Sequence, residues 1–260
     1  MPFQYTEEYR NLFDFNENLS SITNTIFDKK HHFSGLKEIL ASFSLGKAYK
    51  THKAILLLCR HGYGEDAAIL LRSLFDLDVT LTYILNDKTD ERINRYFSHD
   101  WVARKKMYDY IVDKPDLLGE MENKSQEYDS IGEVLKQAKI AEDKYRYNIF
   151  GWSDKSIKRM AEEIGRKNEY RTIYFLQSNI IHSTTRSINE YMKVEGDGLT
   201  VMAGESTNWI ENDLVGAFDF FFRIINTCNN LLKLEIDDQL QAISGRFVKA
   251  VEEKKDEKKK

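Results

Sequence analysis

Apolar residues return every three or four positions along almost all of this 260-residue chain, which is the spacing of one face of an α-helix. Little interrupts that period, because the chain holds only two prolines (Pro2 and Pro115) and thirteen glycines. A β-sandwich needs a turn signal about every 8–12 residues, and this sequence cannot supply them. The expectation is all-α: a single multi-helix bundle over residues 1–251, followed by a charged flexible tail, 252–260. One segment departs from the pattern. Val194 to Met202 alternates around Gly196-Asp197-Gly198, which predicts one small β-hairpin near 193–203.

Helices are expected over 7–33, 36–60, 65–85, 90–112 and a charged segment to 144, then 155–164, 169–192, 209–234 and onward from 237. On the second of these, Leu36, Ile39, Leu40, Phe43, Ile55 and Leu58 are read as the inward side. The third carries two apolar stripes, Leu70-Leu74-Leu77-Leu81-Ile84 and Ala68-Leu71-Phe75-Thr82, and so belongs at the centre of the bundle. The aromatic content of 209–234 exceeds what one face buries easily, and this points to a homodimer.

Several classes fall away on composition. Strictly apolar runs such as Ala54 to Cys59 are far short of the ~20 residues of a membrane span, so no membrane association is expected. The opening MPFQYTEEYR has no charged-then-apolar pattern of a secretory leader, which suggests a cytoplasmic protein. The net charge is −4, and without the terminal EEKKDEKKK the balance is 33 basic to 38 acidic residues. That gives no broad basic field for nucleic acid, although a local patch is compatible with it. Two cysteines exclude a disulfide framework or a zinc cluster. No HExxH, no Glu-x-x-His pair, no phosphate-binding glycine loop and no GxSxG elbow occurs, so no metal or cofactor is expected.

Two polar stripes interrupt apolar faces. Arg72, Asp76, Thr80 and Tyr83 share one side of the third helix, with Arg72 and Asp76 at i,i+4. Such a pair either fixes helix register or presents Arg72 to an anion. On the helix after Gly165, Tyr170, Tyr174, Ser178, His182 and Thr185 step along one face, flanked by Arg171 and Arg186. A histidine with tyrosine, serine and arginine in reach is either a satisfied structural group or an acid/base. His52 and His61 flank an apolar run as boundary or cleft residues, and His99 sits beside Trp101. Tyr96, Tyr108, Tyr110, Tyr145 and Tyr147 lie among cations and are candidates to line a polar groove.

Three segments together carry a resemblance: Ala67-Ala68-Ile69-Leu70-Leu71-Arg72-Ser73-Leu74-Phe75-Asp76; Gly151-Trp152-Ser153 with Ser156-Ile157-Lys158-Arg159-Met160-Ala161; and Tyr170, Tyr174, Ser178 and His182. In order and spacing they resemble a prokaryotic helical family known only as a domain of unknown function. More remotely, the helix with Ser178 and His182 is similar to the motif helix of HEPN proteins, helical bundles that include metal-independent ribonucleases of defence systems. In that motif an arginine precedes a histidine by about five residues. Here Gln177, Ser178 and His182 occupy the places, with glutamine instead of arginine.

Two functions follow. The first is a helical binding or interaction module in a bacterial defence setting, taking a small anionic ligand or a protein partner through Asp76, Tyr174, Ser178 and Arg171. The second, implied by the HEPN resemblance, is RNA cleavage through the ribose 2′-hydroxyl. There His182 serves as acid/base and Arg72 or Arg186 as the clamp on transition-state charge.

Overall fold

The computed structural model describes residues 7–27, 34–112, 114, 130–174, 177, 180 and 184–257. Most of them are helical, joined by loops and turns, with one two-stranded antiparallel hairpin, so the fold is all-α with a small hairpin. The chain divides into two compact units. Unit 1 comprises Met1–Thr82 and Ala161–Lys260, and unit 2 comprises Tyr83–Met160.

Unit 1 is built on α1 (Arg10–Phe27), α2 (Leu36–Arg60), the first part of α3 (Gly64–Leu85) and, from the C-terminal half of the chain, α9 (Ile210–Leu232) and α10 (Asp237–Glu257). Helix α2 starts cleanly because the Glu38 carboxylate accepts the backbone N–H groups of Ser34 and Gly35 and the Ser34 hydroxyl, offsetting the unpaired donors of the first turn. Those bonds hold the Glu38 carboxyl below its ordinary range. Helix α9 is the hub, packing on α1, α2 and α10. Its Phe218, Phe220 and Phe221 are buried, with Phe220 against Phe75 of α3 and Phe218 stacked on Phe247 of α10. Trp209, just before α9, and Phe222 within it stay half-buried.

The inward face of α2 differs from the expectation. Leu36, Ile39 and Phe43 are 37%, 41% and 52% exposed, while Ala41, Ser44, Leu45, Ala48, His52, Ile55 and Cys59 are buried. The buried stripe keeps the helical period but includes Ser44 and His52, which a count of apolar residues places outside.

Further along unit 1, α7 (Lys167–Glu169) runs into a π turn, Tyr170–Tyr174. The expected continuous helix over 169–192 does not form. Thr184 is extended (ψ 162°), followed by a 3₁₀ turn at Thr185–Ser187, α8 (Ile188–Tyr191), β1 (Met192–Glu195) and β2 (Gly198–Val201). Gly196, at φ +65°, supplies the left-handed residue of the tight turn. Helix α10 continues to Glu257, past the boundary expected at 251.

Unit 2 consists of α4 (Glu91–Ile111) packed on α5 (Ile131–Tyr145), with the start of α6 (Ile157–Glu163) after a loop. The Ser130 hydroxyl caps α5 by accepting the Glu133 N–H at 3.3 Å. The Gly-Trp-Ser segment is a packing device. Trp152 lies edge-on to Tyr96 with centroids 5.3 Å apart, and its carbonyl accepts Arg95 Nε at 2.8 Å. Gly151 is at φ +83°, and a Cβ there would sit 3.7 Å from the His99 ring.

One close approach fixes the loop before α9 onto the start of α3. A Cβ on Gly64 would lie 1.9 Å from the Asn208 carbonyl oxygen, and Ser206 N–H donates to the Gly62 carbonyl at 2.9 Å. Gly64→Ala is expected to destabilise the protein by about 1–3 kcal/mol, as overpacking against backbone does. Thermal unfolding checks this, at about 2–4 °C of Tm per kcal/mol for a chain of this size.

Candidate functional site

On the α3 stripe Arg72 and Asp76 lie close enough for the guanidinium to act on the carboxyl. Arg72 and Asp76 are both half-buried. Asp76 Oδ1 has no hydrogen-bond partner, and burial drives its carboxyl up to about 6 against the pull of Arg72 and Lys47. A buried ion pair is made by Asp78, two positions on. Asp78 is fully buried and paired with Arg166, whose side chain is 14% exposed. Loss of water around the Arg166 guanidinium, with Arg223 nearby, lowers it to about 10, while Asp219 and Glu169 oppose that fall. Arg223 in turn bridges Asp219 at 2.6 Å and Glu169 at 3.3 Å.

Of the second stripe, Ser178 and His182 lie outside the described residues. Arg171 is exposed on the π turn that Tyr174 closes, and Arg186 is exposed in the 3₁₀ turn. The π turn inserts an extra residue per turn relative to an α-helix, and extended Thr184 separates Thr185 and Arg186 from what precedes them. The four-four-four-three stepping read from the sequence assumed an unbroken α-helix and does not carry through to Arg186.

The Asp219–Arg223 end of that network lines a groove. A cavity of about 980 Å³ opens beside α9, between the start of α1 and α10. Its floor is aromatic, from Phe218, Phe222 and Phe247, with Val215 half-buried and Val248 51% exposed beside them. Its charged walls are engaged with one another, as in Arg223 with Asp219 and Lys254 with Glu211 at 3.2 Å. Gln177 also lines it, and this residue is only 2% exposed with an Oε1 that finds no partner among the described residues. Sequence reading noted Gln177 only as a missing arginine. The Asp219–Arg223 pair at i,i+4 in an aromatic helix was the signal that could have found this wall.

Two further buried clusters went unread. His52 is fully buried and stacked on Phe221, with centroids 4.4 Å apart. Asn16 Nδ2 donates to the Leu12 and Leu214 carbonyls, so Asn16 Oδ1 accepts the His52 Nε2–H at 2.8 Å, and Nδ1 accepts the Ser20 hydroxyl at 3.1 Å. A Ser-His-Asn set in contact suggests nucleophilic catalysis. Here all three are sealed, at 4%, 0% and 0% exposure, and burial pushes the imidazole down to about 3. It is a structural network.

The other cluster joins the first turns of α3 and α9. Asp213 is fully buried with neither carboxyl oxygen partnered, and burial, with Glu65 adding like charge, raises its carboxyl well above the usual range. Glu65 Oε1 accepts the Ser206 hydroxyl at 3.1 Å. In unit 2, Tyr145 and Tyr147 pack at 5.9 Å, and Tyr147 OH donates to the Arg95 carbonyl at 2.9 Å. Tyr110 stands 69% exposed with Lys114 over its ring, so the expected tyrosines do not form one groove. Among the described residues no group of three His, Cys, Asp or Glu is placed to hold a metal, and no helix is long and apolar enough to cross a membrane.

Asp213 yields a signed prediction. The folded protein keeps a proton that the unfolded chain releases above the ordinary aspartate value of 3.8. Stability from this group is therefore lost as pH rises from 3.8 toward the raised folded value. Asp213→Asn, which cannot ionise, should raise Tm at pH 7.5 and gain less at pH 4.5. A lower Tm at pH 7.5 would show that the carboxylate is needed in its charged form.

No curated protein and no solved structure matches the chain significantly. Residues 38–199, more than half of the chain, match the model of a family of unknown function. Of the groove residues, Leu71, Thr172 and Gln177 fall within that match, while those on α1, α9 and α10 lie outside it. The chain belongs to the family of unknown function DUF5677.

Proposed function

We propose that this protein is a non-catalytic helical binding module whose ligand seat is the groove beside α9. The observation that carries the reading is Gln177. An amide oxygen buried without a partner costs about 1–3 kcal/mol, and a ligand donor reaching it from the groove would offset that cost. The aromatic floor and mutually engaged walls favour an apolar ligand with a hydrogen-bond donor. They disfavour an anion, which would meet Glu8, Glu211, Asp219 and Glu253.

The test is titration with 2-naphthol, a neutral, fluorescent apolar molecule that carries one hydrogen-bond donor. The expected result is one saturable site, weakened at least about tenfold (~1.4 kcal/mol) by Val215→Arg, which fills the groove with a charged chain. Unsaturable binding, or binding indifferent to that change, contradicts the proposal. The nuclease reading rests on the HEPN resemblance, with His182 as acid/base, Arg72 or Arg186 as clamp, and Tyr174 and Ser178 positioning the substrate. RNA cleavage by the wild-type protein, abolished by His182→Ala with melting unchanged, would replace the binding module with that reading.

A further inference from the structure

The hairpin β1–β2 carries a face with no cover. Its register pairs Met192 with Val201 and Val194 with Leu199, so these four apolar side chains share one side. Val194, Leu199 and Val201 are 73%, 65% and 65% exposed. A two-stranded ribbon is marginal alone, and among the described residues both of its strands are edges. Its base is anchored, since Met202 N–H donates to the Tyr191 carbonyl at 2.8 Å and the Trp209 indole N–H to Glu190 at 2.8 Å. We propose that the hairpin is a homodimerisation element. In this arrangement two copies pair β1 against β1 about a twofold axis at Val194, making a four-stranded antiparallel sheet.

The register follows from backbone parity. The Met202–Tyr191 bond marks that pair as hydrogen-bonded, and alternation then makes Lys193–Thr200 and Glu195–Gly198 hydrogen-bonded too. The N–H and C=O of Val194 are left facing the open edge. A second β1 run antiparallel with Val194 opposite Val194 uses those groups, closing two bonds across the axis. The same register sets Lys193 opposite the second copy's Glu195, twice by symmetry. Centring on Lys193 instead would oppose like charges and call on backbone groups already spent on β2. A shift by an odd residue would lay the apolar face of one copy beside the polar face of the other. Within one chain Lys193 and Glu195 already lie 3.1 Å apart on the polar side, so both charges are in place. A lone lysine discourages edge pairing, but here the glutamate two positions on makes it a partner. This self-complementarity selects a second copy over an unrelated strand.

Analytical ultracentrifugation of the full chain, from micromolar to near-millimolar concentration, tests the proposal. The wild-type protein should shift reversibly from 30.5 kDa to twice that mass. Lys193→Glu and Glu195→Lys should each be monomeric where the wild type is dimeric, and an equimolar mixture of the two should dimerise, because each then meets opposite charge. Val194→Pro removes the outward N–H without touching a β2 bond and should also be monomeric; should it fail to fold, the charge-reversal pair decides. A wild-type monomer across the range, a dimer that survives all three changes, or a mixture that stays monomeric would overturn the proposal.

Discussion

Unit 1 depends on a histidine that burial holds neutral near pH 7. His52 joins three helices at once, through Ser20 and Asn16 of α1, its own α2, and Phe221 of α9. Asn16 carries the link further by donating to the Leu214 carbonyl of α9. Each neutral hydrogen bond contributes only about 1 kcal/mol, but breaking one leaves a buried polar group unsatisfied at a cost of about 1–3 kcal/mol. The set therefore specifies one relative placement of α1, α2 and α9, whereas a purely apolar seam of leucines would tolerate sliding. Once α9 is fixed by its inner face, its other side is free to form the groove with α10 and the start of α1.

Charge in this unit follows the same economy. The pair Asp78–Arg166 is buried, and Arg166 feels the group of Arg223, Asp219 and Glu169 that reaches the groove wall. Replacing a buried pair by apolar residues is often neutral, so its value lies less in stability than in fixing where Arg223 stands. Asp213 is handled differently: burial, with Glu65 adding like charge, favours the protonated carboxyl. Paired, protonated and neutral groups thus each solve the cost of burial in a separate place.

Much of the architecture was legible from periodicity. The all-helical class and the hairpin follow from apolar spacing and a Gly-Asp-Gly turn, and α3 reads as central because both flanks are apolar. The inward side of α2 was misread at Leu36, Ile39 and Phe43, since a pattern of apolar residues cannot know that Ser44 and His52 are buried. The candidate site was the least legible part. Asp78 is paired by Arg166, which is far along the chain and outside any local spacing rule. The π turn at Tyr170–Tyr174 and the extended Thr184 shift faces in a way that no 3.6-residue period anticipates. Gln177 looked like a missing arginine, and its unpartnered amide in a groove wall is a tertiary property.

The sealed histidine can be observed directly. Nitrogen-15 correlation spectra of the imidazole, recorded between pH 7.5 and 5, should show one histidine with the proton fixed on Nε2 and Nδ1 unprotonated, its two ring signals far apart and unmoved over that range, because burial holds it near 3. If every histidine instead titrates with a midpoint near the ordinary 6.5, His52 is open to water and the scaffold described for unit 1 is wrong.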